Sequence, residues 1–306
     1  MIYLMKTPIF TGACVAIVTP YNENGIDFDK LGELIERQIA GGTNAICICG
    51  TTGEASTQTI EEHKAAIEYC VKKVDHRVKV IAGTGSNCTM TALDLSLYAE
   101  SCGADGLLIV TPYYNKATQT GLIKHYTYIA DRVHTPIIMY NVPSRTGTAF
   151  TAETYYELSK HPMINGIKEA SGNFGLVTHT LALCGDNINI WSGNDDQVVP
   201  LMALGAKGVI SVASNVYPQL MAEMTQLCLD GKFDEAAKLQ VSTIGLMDAL
   251  FIEVNPIPVK VALNMMGLDV GMLRMPLCDM SAAHKEVLAK ALMNAGLEVK
   301  NPTAGA

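Results

Sequence analysis

The chain has 306 residues and a formal net charge of −8, with a pI near 5.4. That is long for one average domain but fits a single large barrel with an appendage. Its 22 Lys and Arg are scattered rather than gathered into arms or stripes, which argues against a nucleic-acid partner. The N-terminus carries neither a basic n-region nor an apolar stretch long enough for a signal peptide or a membrane span, and Met5 is a second candidate start beside Met1.

The nine cysteines (14, 47, 49, 70, 88, 102, 184, 228, 278) are odd in number, sit mostly in apolar runs and never form a CxxC pair. They read as reduced core residues of a cytoplasmic protein, with neither a disulfide framework nor a zinc site expected.

Along the chain, short β-branched and nearly all-apolar runs occur at 14–20, 45–50, 78–83, 106–114, 136–143, 164–170, 188–193 and 208–212. Continuous hydrophobicity marks strands buried on both faces. Amphipathic stretches lie between them. After the first strand, Leu31, Leu34, Ile35, Gln38 and Ile39 follow the helical period until Gly41 and Gly42 stop it. Eight repeats of strand, helix and glycine predict an α/β fold, a closed (β/α)8 TIM barrel, and no GxGxxG follows the first strand to favour a doubly wound sheet. Beyond Gly231 the rhythm changes to three helical segments, the last with Ser281 as N-cap. The expected organisation is a barrel over 1–231 and a small helical appendage over 232–306, ending in a frayed "NPTAGA".

Chemistry in such barrels sits at the C-terminal strand ends. The chain places there Thr19, then Thr51, Thr52 and Glu54 in "GTTGEA", Tyr113 and Tyr114 in "TPYYNK", Tyr140, Asn141 and Arg145 in "YNVPSRTG", Lys168 in "GIKEASG", Gly193, and Ile210 to Asn215. All seven histidines fall in helices or the loops leading out of them, so no metal cluster is expected at the strand ends. Of the seventeen lysines, only Lys168 falls at a strand's C-terminal end, with Lys116 just past the fourth strand.

An amine enclosed by apolar walls loses hydration, which favours its neutral, nucleophilic form. It can then form a Schiff base with a keto substrate, the iminium serving as electron sink. Tyr140 is a credible proton shuttle through a hydroxyl such as Thr51. The "GTTGEA" turn suits a carboxylate, and the Arg145 fork suits a second one. Each residue also has an ordinary reading: Lys168 as a solvated strand-end lysine, Tyr140 as a rim aromatic, Thr51 or Thr52 as a helix cap, Arg145 as a surface arginine. A catalytically silent barrel is therefore the competing interpretation. None of these ordinary readings explains their joint appearance at successive strand ends.

Together with "WSGND" (191–195) and "NPIPVK" (255–260), these motifs run in order over essentially the whole chain. The chain closely resembles the pyruvate-dependent class I aldolase and lyase family of dihydrodipicolinate synthase and N-acetylneuraminate lyase. The resemblance implies a lyase condensing pyruvate with L-aspartate 4-semialdehyde on the route to diaminopimelate and lysine. No metal or organic cofactor is then used beyond the covalent Schiff base. Lys168 takes the Schiff-base role and Tyr140 that of proton transfer. Thr51 and Tyr114 complete a hydroxyl relay, Tyr114 reaching into a neighbouring subunit's site. Thr52 resembles the pyruvate carboxylate site, Arg145 the semialdehyde carboxylate site, and Gly193 and the Ile210 carbonyl the remaining wall. A homotetramer built as a dimer of dimers is implied as well.

Arg145 sides with the synthase branch rather than with lyases of sugar-derived 2-keto acids, the alternative reading. A possible lysine effector site matches Ala55, Ser56, His63, Asn87 and Tyr113. Ile60 and Thr91 depart from the inhibited pattern, which carries histidine and glutamate there, so weak or absent feedback inhibition is expected.

Overall fold

The computed structural model describes residues 6–306; both candidate starts lie outside the described residues. Eight parallel strands close into a barrel: β1 (Gly12–Ala16), β2 (Ala45–Ile48), β3 (Lys79–Gly83), β4 (Gly106–Val110), β5 (Ile137–Asn141), β6 (Ile164–Glu169), β7 (Asn189–Ser192) and β8 (Gly208–Ser211), with β8 pairing back onto β1. The strands number as expected because both faces of each are covered, which makes their sequences continuously apolar.

Two boundaries differ from the sequence reading. The run 106–114 stops pairing at Val110, since Pro112 cannot donate to a ladder and Tyr114 adopts left-handed backbone with φ 73°. The run 14–20 leaves the barrel after Ala16 and continues into a two-stranded ribbon, Tyr21–Asn22 with Gly25–Ile26, too short to be marked by periodicity.

Helices α1 (Phe28–Ala40), α2 (Ile60–Val74), α3 (Thr89–Cys102), α4 (Gln119–Ala130), α5 (Ala152–Ser159), α6 (Phe174–Cys184), α7 (Val198–Ala203) and α8 (Pro218–Leu229) each follow one strand. Asp27 caps α1, and Thr59 with Glu62 forms a reciprocal capping box on α2. Three more helices follow: α9 (Phe233–Ala249), α10 (Ile257–Met265) and α11 (Ala282–Asn294), the last capped by Ser281 as expected. The tail expected to fray is held instead. Asn264 Nδ2 donates to the Gly305 carbonyl at 2.6 Å and Ala306 N to Asp279 Oδ1 at 3.1 Å. Among the described residues no helix is long and apolar enough to cross a membrane.

Alternation along the strands sorts the apolar side chains into two clusters. The larger lies between strands and helices, while the smaller fills the barrel with Cys14, Cys47, Ile81, Leu108, Ile138, Tyr140, Trp191 and Ile210. Phe10 closes the N-terminal end, stacked on Trp191 at 5.0 Å between centroids and accepting its indole N–H at 3.2 Å. Six of the nine cysteines are buried and free, as a reduced core requires, whereas Cys88 and Cys278 are exposed.

The register of β5 on β6 contains one irregularity. Ile137 faces Ile164, but Ile138 faces Gly166, so Asn165 is an extra residue on β6. Beyond it Tyr140 faces Lys168 and Asn141 faces Glu169. Trp191 lies opposite Lys168 on the other side of β6 and is fully buried. Trp191→Ala should therefore cost about 3–5 kcal/mol in a urea melt, and a cost below about 1 kcal/mol would show that the inner core does not depend on this ring.

Candidate active site

Lys168 emerges on the inner face of β6 at its C-terminal end, 5 % exposed, with its Nζ 4.5 Å from the centroid of the Tyr140 ring. Among the described residues no carboxylate forms an ion pair with it. Gly193, just past β7, makes room for this side chain. A Cβ there would lie 2.7 Å from Ala170 Cβ, and 3.1 Å from both the Glu169 carbonyl and Lys168 Cε. Ile210 lies fully buried on β8 in the same inner cluster. Cys14 and Cys47 belong to that cluster too. Burial pushes the Cys47 thiol up to about 11, with the Lys168 charge opposing, and the Cys14 thiol well above its ordinary range. Both stay protonated and serve as packing.

The neighbour of Lys168 in sequence points the other way. Glu169 is buried on the outer face, where its carboxylate accepts from Asn141 Nδ2 at 3.1 Å, Tyr155 Oη at 3.2 Å and Ser171 N at 2.7 Å. Burial raises its carboxyl above the ordinary range, and these donors oppose the shift.

Thr51 and Thr52 sit in a tight turn after β2. Its ends, Cys49 at φ 55° and Glu54 at φ 54°, are both left-handed without being glycine. The turn closes through Gly53 N to Gly50 O and Glu54 N to Thr51 O, each at 3.1 Å. Among the described residues the N–H groups of Thr51 and Thr52 have no acceptor, so they are free for an anion. Neither residue caps a helix: α2 starts at Ile60 with Thr59 as its cap, after a single 3-10 turn, Ala55–Thr57. The dipole of α2 therefore begins too far along the chain to serve an anion at this turn, where the unpaired amides are the available donors.

Arg145 is presented by the single turn Pro143–Thr146, where its Nη2 donates to the Asn255 carbonyl at 3.1 Å. A cavity of about 390 Å³ brings Arg145, Thr51 and Tyr140 together. The same cavity extends past Ala55, Ser56, His63 and Tyr113, and Ile60 and Thr91 also line it. Lys168, Thr52, Gly193 and Ile210 lie outside its lining, as do Asn87 and Tyr114. Tyr114 is 89 % exposed, so it is not part of the relay within its own chain.

Several supports were not foreseen as functional residues. Asn255 Nδ2 donates to Thr52 Oγ1 at 3.0 Å, so one asparagine touches both the Thr51–Thr52 turn and the turn that carries Arg145. Asp195 Oδ2 accepts from Val212 N at 3.0 Å and Ala213 N at 2.8 Å, fixing the chain beyond Ile210. Lys260, from α10, is a second buried lysine near the strand ends, paired with Glu54 at 2.9 Å. It arrives from a helix rather than from a strand end. The motif "NPIPVK" was the only sequence signal for Asn255 and Lys260.

The Dihydrodipicolinate synthetase family model matches residues 9–295. The 4-hydroxy-tetrahydrodipicolinate synthase of Acetivibrio thermocellus is 53% identical over 293 residues, covering 96% of this chain and 100% of the relative. Among solved structures, the chloride-inhibited dihydrodipicolinate synthase from Acinetobacter baumannii, complexed with pyruvate, superposes with a TM-score of 0.92 at 41% identity over 94% of this chain and 100% of that one. The enzyme from Cyanidioschyzon merolae with lysine bound gives 0.92 at 35% identity, over 95% of this chain and 100% of that one. The chain belongs to the dihydrodipicolinate synthetase family, and its fold is the family's TIM barrel.

Gly193→Ala would drive a methyl into Ala170 and the Lys168 stem. The expected outcome is a loss of about tenfold or more in kcat/KM for pyruvate with the fold retained by circular dichroism; unchanged kinetics would mean that the Lys168 channel has room to spare.

Proposed function

We infer that the protein is a lyase with 4-hydroxy-tetrahydrodipicolinate synthase activity, joining pyruvate to L-aspartate 4-semialdehyde, and that its product feeds diaminopimelate and lysine biosynthesis. The observation that carries this reading is the pairing of Tyr140 with Lys168 on the inner barrel face, beneath a cavity that also reaches Thr51 and Arg145.

The Lys168 amine, through its lone pair, adds to the pyruvate keto carbon and water leaves, giving an iminium. Loss of a methyl proton then gives an enamine, whose carbon attacks the aldehyde of the second substrate. Tyr140 takes and returns these protons, passing them through the Thr51 hydroxyl. The free amides of Thr51 and Thr52 receive the pyruvate carboxylate, while Arg145 receives that of the semialdehyde through its planar fork. Gly193 and the Ile210 carbonyl wall the covalent adduct. The semialdehyde's own amine finally displaces Lys168, which frees the enzyme and closes the nitrogen ring of the product. The iminium is the electron sink, so the cycle needs no metal or organic cofactor.

Tyr114 completes the relay from a second copy, consistent with its exposure and left-handed backbone, within a homotetramer arranged as a dimer of dimers. A cytoplasmic location accords with the free cysteines.

The test is intact mass after borohydride reduction with pyruvate. Wild type should gain one pyruvate-derived adduct mapping to Lys168 and turn over L-aspartate 4-semialdehyde rather than a sugar-derived 2-keto acid. Lys168→Ala should gain none. A folded wild type without an adduct would remove the mechanism.

The extension of the cavity toward His63 and Tyr113 is the proposed effector lobe, with Asn87 following its lining residue Ser86 in the chain. Ile60 and Thr91 give that lobe no charged partner for an ammonium, so free lysine should inhibit weakly or not at all. Sub-millimolar inhibition in a lysine titration would refute this.

A further inference from the structure

Glu54 combines two unfavourable features at one position. Its backbone is left-handed, φ 54° and ψ 34°, with no side-chain cap to account for it. Such a conformation disfavours any residue with a Cβ, and glycine would adopt it freely. Its carboxylate is also withdrawn from water, with the side chains of Glu54 and Lys260 both 0 % exposed.

Every partner in this pair is satisfied. Lys260 Nζ donates to Glu54 Oε1 at 2.9 Å, to the Thr19 carbonyl at 3.2 Å and to the Met272 carbonyl at 2.6 Å, while the Arg274 amide donates to Glu54 Oε2 at 2.9 Å. Thr19 in turn grips the turn from the other side, its Oγ1 donating to the Gly53 carbonyl at 2.7 Å. Stability alone does not require this arrangement, because an apolar pair of similar volume commonly serves a fold as well or better. The ion pair offers direction instead. It fixes the residue whose amide closes the turn onto the Thr51 carbonyl, and it ties that residue to a helix more than two hundred positions away.

We propose that Glu54 and Lys260 are positioning residues for the pyruvate step: the buried pair holds the Thr51–Thr52 turn with its free amides and hydroxyls aimed at the pyruvate carboxylate. Neither side chain touches substrate. The pair acts through the turn, and it rests on the reading that Thr51 and Thr52 receive that carboxylate. Arg145 makes no contact with the pair: its Nη2 donates to the carbonyl of Asn255, whose amide also reaches Thr52, so loss of the pair alone leaves the Arg145 anchor in place and should fall on pyruvate rather than on the semialdehyde.

The experiment compares the full-length wild type with the double variant Glu54→Gly, Lys260→Met, which leaves no unpaired charge and removes the left-handed Cβ. The expected result is a melting temperature within a few degrees of wild type, and a fall of about tenfold or more in kcat/KM for pyruvate. The value for L-aspartate 4-semialdehyde at saturating pyruvate should stay within about twofold. A stable double variant with unchanged pyruvate kinetics overturns the proposal, as does an equal fall for both substrates. Should the double variant not fold, Glu54→Gln keeps the shape and an acceptor for Lys260; a smaller loss confined to pyruvate supports the proposal, and no loss overturns it. Failure of wild type to trap pyruvate would instead defeat the reading of the turn itself, so the two failures are distinguishable.

Discussion

The site depends on the parity of one strand. Side chains alternate faces along β6, so a single extra residue exchanges everything beyond it. Without the bulge at Asn165, Lys168 would point among the helices and Glu169 into the barrel. The bulge is secured at both ends of the asparagine: its Nδ2 donates to the Thr7 carbonyl at 2.9 Å, and its Oδ1 accepts from Asn189 Nδ2 at 3.2 Å. Gly166 follows because a Cβ there would come within 2.5 Å of the Asn189 carbonyl and of the Trp191 ring. Lys168 is thus placed by hydrogen bonds near the opposite end of the strand that carries it.

The same parity gives the barrel mouth its rigidity. Once Lys168 faces inward, Glu169 faces outward and ties the ends of β5 and β6 together through Asn141. Tyr155 completes the tie from α5. Its carboxylate is costly to bury, but it accepts donors from three directions, the condition under which a buried polar group rigidifies its surroundings. Asp195 does the corresponding work between β7 and β8 through the amides of Val212 and Ala213. Two buried acids on neighbouring strand ends therefore fix the walls, and neither needs to enter the chemistry.

What the sequence made legible follows from which signals are local. The eight strands were readable because helices cover their outer faces, so their runs are apolar without alternation. Lys168, Tyr140 and Arg145 were readable because strand ends can be located from those runs and inspected for residues that do not belong there. Where strands stop was less readable: the run through Tyr114 stays apolar after pairing has ended. The anchored tail was not readable either, since its partners Asn264 and Asp279 are fixed only by the fold. The largest omission was the pair of Glu54 and Lys260. Glu54 lay in plain view at a strand end, but no periodicity links it to a lysine on α10, and counting strand-end lysines excluded the one that comes from elsewhere.

The helical region beyond the barrel reaches into the strand-end turns. Asn255 holds Thr52 through its amide and Arg145 through its carbonyl, while Lys260 holds Glu54. The turn they grip lines the cavity with Thr51, and Ala55, Ser56, His63 and Tyr140 line the same cavity. A ligand beside Ala55 would press on the residues next to Glu54, and coupling between two sites requires a shared element with more than one arrangement. A turn bounded by two left-handed non-glycine residues and closed by its own amides has such alternatives nearby, since each strained residue would relax if released. The buried pair opposes that relaxation. A tightly latched turn therefore holds one arrangement of its amides whether or not the neighbouring part of the cavity is filled.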